Sequence, residues 1–325
     1  MDSRELLQLS QKPKLMEYGF APWFDWKTEN AGYGVAYRKS SNFPSIFPIF
    51  ATGDHGVPIT DTVYDFENVA KRRIFLTSYL DKALNLRNNF GINAIHIKHP
   101  WIEWRNRNLP SKRDLGKGTL VFYPHSNAST VARIIDQKKY FSEIKELPDN
   151  FQPITICLMS HDIINHRLHE DLNKLGLTVT TAGNTSSRHF IKRFYDLIDK
   201  YEYFTSPNIG SHFYYLVADS KKFFFHGQSE FIGTGKGMVP RNHVFRHGYK
   251  FSDNLNNEIE TIMRLQHFSS TLLDSLTKSH VESRLGYNSA VSYNSIRKIL
   301  YFEMLKNIHS IPVLYLSEIK KIVNL

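Results

Sequence analysis

The chain has 325 residues, enough for two domains at the usual roughly 100–200 residues each, and its 41% hydrophobic and 22% charged content fits a globular core rather than disorder. Lys plus Arg outnumber Asp plus Glu by 41 to 31, a formal net charge of +10 that admits a nucleotide, a nucleic acid, an anionic polysaccharide or an anionic membrane surface as partner. No run reaches the ~20 apolar residues of a membrane span, the charged start MDSRELLQLSQKPK does not match a secretory leader, and the single cysteine, Cys157, excludes an internal disulfide and a multi-cysteine metal centre. A cytoplasmic location is expected, with peripheral contact at the inner membrane face as the alternative.

Residues 1–45 crowd Phe20, Trp23, Phe24 and Trp26 around Pro22, Gly32 and Gly34, and predict an irregular packed lead-in. Residues 45–52 read as a strand that ends on Gly53-Asp54-His55-Gly56. Two glycines around an acid and an imidazole predict a loop that displays Asp54 and His55, and a solvated β-turn is the bland counterpart. Apolar spacing through Val69, Ile74, Leu76, Leu80, Ala83 and Leu84 predicts a helix over 66–89, closed by Gly91. Residues 92–98 read as a buried strand running into His99-Pro100, where the proline stops the strand and leaves His99 at its carboxyl end. Residues 106–117 are polar, basic and turn-rich and predict an interdomain linker.

The pattern restarts at Gly118 with a strand over 118–123, the segment Pro124-His125-Ser126-Asn127, and a helix over 128–135. A strand over 153–159 ends in Ser160-His161-Asp162, a helix follows near 166–174, and a strand over 177–181 ends in Ala182-Gly183-Asn184. Phe190, Ile191, Phe194, Leu197 and Ile198 form one face of the next helix, which Ser186 or Ser187 is placed to cap. An aromatic strand over 201–205 then meets the turn Ser206-Pro207-Asn208-Ile209-Gly210, a short helix opening at Ser211, and a strand over 222–226 closed by Gly227. Gly210 is expected to turn the backbone and Ser211 to cap the helix, so that backbone donors, the helix dipole and two serine hydroxyls make an anion site. A capped turn of any Rossmann-like domain has the same sequence pattern.

In a parallel, doubly wound sheet all strand ends fall on one edge, where the ligand crevice lies. His125, Ser126, His161, Gly183, Asn184, Ser206, Asn208, Gly210, Ser211 and His226 are therefore expected together. Residues 232–250 predict a flexible basic loop: Gly233-Thr234-Gly235-Lys236-Gly237 lacks both the spacing and the hydroxyl of a P-loop. Helices are expected at 257–276 and 295–307, and the last stretch, IPVLYLSEIKKIVNL, is amphipathic, as a docked terminal helix or a membrane-surface helix is.

Taken together, GDHGV at 53–57, FYPHS at 122–126, the strand end ICLMSHDI, and TAGN followed by YFTSPNIGSHFYYLVADSKKFFFHG resemble bacterial glycosyltransferases of the GT-B fold that build capsules and lipopolysaccharide. The nearest group is that of bacterial sialyltransferases and capsule Kdo transferases, over residues 45–230. The resemblance implies an α/β chain of two Rossmann-like lobes: residues 1–115 on the acceptor side, residues 116–254 binding the nucleotide sugar, and residues 255–325 as helices packing across both. It implies transfer of a sugar to a glycan or glycolipid acceptor, with the donor phosphate on Ser206, Gly210 and Ser211, and Gly183 and Asn184 close by. His161 would face the phosphate or sugar, although Asp162 follows it and the chain's own His-Pro pair, His99-Pro100, lies on the acceptor side.

Inverting transfer needs a base for the acceptor hydroxyl, for which Asp54 or His55 is the candidate, while the helix start stabilises the leaving phosphate without a metal or other cofactor. Two rivals remain, a sugar-nucleotide epimerase and a basic nucleic-acid-binding protein. Against the second, the aromatics fall in strands and on helix faces, and no nucleic-acid module is visible.

Overall fold

The computed structural model describes residues 1–13, 31–54, 56–63, 73–109, 116–126, 130–227, 230–235, 243–246, 253–266, 274–312 and 316. Its strands in chain order are β1 (Thr52–Gly53), β2 (Phe75–Thr77), β3 (Ala94–His96), β4 (Thr119–Phe122), β5 (Thr130–Ile134), β6 (Ile154–Cys157), β7 (Thr178–Thr180), β8 (Tyr203–Ser206), β9 (Lys222–Phe225), β10 (Glu230–Gly235) and β11 (His243–Arg246). The fold is mixed α/β with sheets of parallel strands. Two compact units are present, one of Met1–Lys12, Ser111–Asn184 and Lys192–Ser279, the other of Pro13–Pro110, Thr185–Ile191 and His280–Leu325. Neither is a continuous stretch: the N-terminal helix Ser3–Ser10 belongs with the later strands, and the residues after 279 with the earlier ones.

In the first unit a five-stranded sheet runs in the order β7-β6-β4-β8-β9, with every pair parallel. The chain enters at the central strand, steps outward through β6 to β7, then returns to the other side of β4 for β8 and β9. The direction of winding therefore reverses between β4 and β8. β4 is buried along its whole length, as a strand covered on both faces should be. Its one polar residue, Thr119, donates its hydroxyl to the carbonyl of Phe151 at 2.7 Å. Val121, Ile156, Val179 and Phe224 fill the core with Ile144, Ile163, Leu168 and Leu172 from the covering helices. A second, antiparallel sheet, β11-β10-β5, completes this unit.

The other unit holds the parallel sheet β1-β2-β3, with the helix Leu80–Phe90 between β2 and β3 and a core of Phe75, Ala83, Leu86, Ile92 and Ala94. The helix Tyr33–Ser41 packs against Pro100–Asn108 and Tyr293–Lys306.

Several expected elements differ. Of the strand expected over 45–52 only Thr52 is in a strand, β1 being Thr52–Gly53, and the lead-in expected to be irregular holds the helices Ser3–Ser10 and Tyr33–Ser41. Of the helix expected over 66–89, residues 66–72 lie outside the described residues, Phe75–Thr77 are the strand β2, and a helix runs over Leu80–Phe90: Ile74, Phe75 and Leu76 are consecutive buried residues, and Phe75 and Leu76 are paired on both sides by β1 and β3. Their apolar run satisfies helical spacing and a two-faced strand equally well. Of the helix expected over 128–135, residues 130–134 are the strand β5, in keeping with the β-branched Thr130, Val131 and Ile134, and 128–129 lie outside the described residues. Part of the flexible loop expected over 232–250 is regular: β10 and β11 pair there, and residues 236–242 lie outside the described residues. Of the linker expected over 106–117, residues 106–108 end the helix Pro100–Asn108, and 110–115 lie outside the described residues. Among the described residues, no helix is long and apolar enough to cross a membrane.

Candidate functional site

Because the five strands of the larger sheet are parallel, their exits share one edge. The exit of β8 carries the turn expected to bind an anion, and its chemistry is arranged differently from the expectation. Ser206 is fully buried, and its Oγ donates to the carbonyl of Asn208 at 2.9 Å and accepts the Asn208 N–H at 3.3 Å. The hydroxyl thus closes the turn with Asn208 rather than facing a ligand, a common use of serine beside a tight turn. Gly210, not Ser211, is the N-cap of the helix Ser211–Ala218, and Ser211 is its first residue.

Gly210 has φ −160°, extended backbone that any residue adopts, so its need for glycine lies elsewhere. A Cβ there would stand 2.9 Å from Cε1 of His212. That imidazole stacks on Phe122 at the end of β4, with ring centroids 4.7 Å apart and planes 13° apart, and tilts against Phe223. Burial, reinforced by the nearby His125, pushes its pKa down to about 3, so His212 is neutral. Its Nε2 is buried without a hydrogen-bond partner, as is Oγ1 of Thr205 on β8. Two such atoms fall where the winding reverses, between β4 and β8. A buried polar atom left unpaired costs ~1–3 kcal/mol, and native chains rarely leave one without a reason.

The exits of β4 and β6 are joined by a buried carboxylate. Asp162 is fully buried; its Oδ2 accepts the N–H of Ser126 at 3.0 Å and its Oδ1 accepts Nη1 of Arg133 at 3.2 Å. Ser126 Oγ in turn accepts the N–H of Ala132 at 3.0 Å, so Ser126 is a strut between β4 and β5. Arg133 keeps 27% of its side chain exposed beside the pair. His161 and His166 meet edge to face with centroids 5.4 Å apart, and the Asn165 amide lies 3.1 Å from Nδ1 of His161. Burial, then the Arg133 guanidinium, lowers the pKa of His166, and the Asp162 carboxylate works against that. His125 is exposed at the β4 exit and His226 half-buried at the β9 exit, where its N–H donates to the carbonyl of Ser206.

At the β7 exit, Gly183 and Asn184 are committed to the chain's own N-terminal helix. Asn184 donates its N–H to the carbonyl of Leu9 at 2.9 Å and its side-chain amide to Ser10 at 3.3 Å. Gly183 has φ +87°, and a Cβ on it would stand 2.9 Å from the Leu9 carbonyl oxygen. Their expected place beside a donor is thus filled by the docking of residues 9 and 10, a contact between distant parts of the chain that the local motif TAGN does not encode.

The other unit's strand exits are built as anchors. Asp54 is only 4% exposed rather than displayed: its Oδ1 lies 3.0 Å from Nζ of the equally buried Lys82, and its Oδ2 accepts the N–H of Ser78 at 3.2 Å. The carboxylate ties the β1 exit to the start of the helix Leu80–Phe90, where negative charge is favoured by the helix dipole. His55 lies outside the described residues. His99 is the N-cap of the helix Pro100–Asn108: its Nδ1 accepts the N–H of Trp101 at 3.3 Å, and its Nε2 lies 2.8 Å from the hydroxyl of Tyr33. Burial holds its pKa at about 3, so it is a neutral histidine bonded through both ring nitrogens rather than one presented to an acceptor. Arg284, nearby, stacks its guanidinium 3.9 Å above the Tyr79 ring and donates to the carbonyl of Ile59.

Sequence reasoning missed His212 and Arg133. The signal for His212 was its place directly after Gly210-Ser211 in an otherwise apolar helix, and that for Arg133 was a lone cation between Ala132 and Ile134, both apolar and buried. Among the described residues no three His, Cys, Asp or Glu side chains gather as a metal site requires. Comparison with protein-family models, with curated proteins and with solved structures finds no match to this chain.

Proposed function

We propose that the chain is a nucleotide-sugar-dependent glycosyltransferase of bacterial surface-polysaccharide synthesis, transferring a sugar to a glycan or glycolipid acceptor, with its donor at the β4–β8 exit of the five-stranded sheet. One observation carries the reading: the start of the Ser211–Ala218 helix lies where the winding reverses, together with the unpartnered Nε2 of His212 and Oγ1 of Thr205. In open parallel sheets this is where nucleotides bind. In this reading each unit is a Rossmann-like lobe of a GT-B-like pair, a reading that a parallel sheet in each unit favours.

The donor's phosphate would leave with developing negative charge. Backbone N–H groups and the positive end of the helix dipole are fixed donors for that charge, and they need no reorganisation at the moment of reaction. Arg133, oriented by Asp162, adds a permanent cation at the neighbouring exit, with His125, His161 and His226 along the same edge. With the helix start and the Arg133 guanidinium as donors, divalent metal is not required by this scheme. His212, neutral and stacked, offers a hydrogen bond and a flat surface rather than charge.

The experiment is a thermal-shift series with CMP, UDP, GDP and their sugars, followed by transfer assays with the nucleotide that binds. A ligand that binds only the folded state raises the melting temperature, by an amount set by its concentration over Kd. The expected result is one nucleotide class that stabilises the protein, with the shift lost in His212→Ala, and sugar release only when an acceptor is present. Turnover of the sugar nucleotide without an acceptor would favour an epimerase. Stabilisation by RNA and by no nucleotide would overturn the reading.

A further inference from the structure

The helix Tyr293–Lys306 buries Tyr293, Ile296, Leu300, Glu303 and Met304 on one face, against the helix Tyr33–Ser41. Phe43 meets Tyr301 edge to face at 5.1 Å along the same seam. That face is the helix's contribution to the core. A second apolar set faces outward: Phe302 is 59%, Leu305 58% and Ile308 55% exposed. Lys298, Phe302 and Leu305 recur four and three residues apart, which places them on one side of the helix. His309, Pro312 and Leu316 continue the exposed series beyond it. Single exposed apolar residues need no explanation, whereas a contiguous set rimmed by charge marks an interaction surface.

The exposed charge beside this face is positive. Between residues 293 and 312 the sequence carries Arg297, Lys298 and Lys306 against a single acid, Glu303, which is 1% exposed and bonded to Lys306 at 2.9 Å. Lys306 also lies over the Phe302 ring, with its ammonium 5.4 Å from the centroid. A long basic side chain lying along an aromatic ring is the arrangement that sinks the ring into acyl chains and leaves the ammonium among headgroups. A second copy of the chain is a poorer occupant, because pairing this face with itself would bring Lys298 and Lys306 against their own copies.

We propose that the face formed by Phe302, Leu305 and Ile308, with Lys298 and Lys306 at its rim, docks on an anionic lipid bilayer surface without spanning it. The apolar residues supply insertion and the lysines supply attraction to the negative surface, so binding needs both. This inference stands apart from the reading of the donor site and would survive its failure.

The test is sedimentation of the full chain with vesicles of phosphatidylglycerol and phosphatidylcholine, compared with vesicles of phosphatidylcholine alone. The chain is expected to bind the anionic vesicles, to bind the neutral ones at least about tenfold more weakly, and to release in high salt as surface charge is screened. The variant Phe302→Ser/Leu305→Ser/Ile308→Ser is expected to lose about tenfold or more in partitioning with an unchanged melting temperature, since none of the three is in the core. Lys298→Gln alone, with the apolar set intact, is expected to weaken binding to the anionic vesicles only. Equal binding to both vesicle types, or full binding by the triple serine variant, would overturn the proposal. So would a concentration-dependent dimer that the triple variant abolishes, because the face would then be a contact between copies.

Discussion

Asp54→Asn separates two meanings of a buried acid at a strand exit. In the structure Asp54 and Lys82 form an ion pair at 3.0 Å with side chains 5% and 3% exposed, and Ser78 N–H donates to the second carboxylate oxygen. Asparagine keeps the shape and an acceptor for Ser78 but removes the negative charge 3.0 Å from the buried Lys82 ammonium. Breaking a buried pair from one side costs ~3–5 kcal/mol. The variant is therefore expected to lose ~3–5 kcal/mol, about 6–20 °C in melting temperature at ~2–4 °C per kcal/mol. Asp54→Asn/Lys82→Met removes both charges, and its apolar chain lies where Lys82 now passes the Phe75 ring, so most of the loss should return. Urea denaturation of the wild type, Asp54→Asn, Lys82→Met and the double variant, followed by circular dichroism, yields the coupling directly. A loss below about 0.5 kcal/mol in Asp54→Asn, the ordinary range for a surface substitution, would refute the pairing and return Asp54 to the role of acceptor base.

Two further outcomes follow from histidines. His99 has a folded pKa of about 3 against an unfolded value near 6.5, so its contribution to stability is complete above pH 6.5 and is lost as pH falls toward 3. The loss runs at ~1.4 kcal/mol per pH unit, about 2 kcal/mol by pH 5, and His99→Asn, which keeps a capping acceptor, should flatten that part of the stability profile; an unchanged slope would refute it. Gly210→Ala should destabilise by ~1–3 kcal/mol because its Cβ meets the His212 ring, and the penalty should shrink when His212→Ala is present; strictly additive losses in a thermal melt would show that the ring is not the obstacle.

The strands β4, β6, β7, β8 and β9 were legible because each is a short apolar or aromatic run bounded by turn residues. The helix Phe190–Ile198 was legible because one face carries all its large apolar residues. Legibility failed where two periodicities coincide. Ile74, Phe75 and Leu76 sit at positions that a helix beginning at 66 would also bury, and only the neighbours β1 and β3, each distant in sequence, select the strand. β5 depended in the same way on β10, about a hundred residues later.

The candidate site shows a different limit. Sequence pattern placed polar residues at strand exits correctly, since turn residues mark where strands stop, but it assigned each side chain to a ligand when many serve the chain itself. Ser206 closes its own turn, Asn184 holds the N-terminal helix, Asp54 pairs with Lys82 and His99 caps a helix. A buried exit must satisfy its own backbone first, and short polar side chains are the cheapest way to do so. What marks a residue as available for chemistry is then the reverse property, a polar atom that the fold has buried and left unpaired. His212 and Thr205 have that property, and both lie at the one junction where the sheet reverses its winding. Neither had been singled out by motif, because an unpaired atom is a property of three-dimensional surroundings: His212 owes its place to Phe122 from one strand, Phe223 from another and the absence of a Cβ at Gly210.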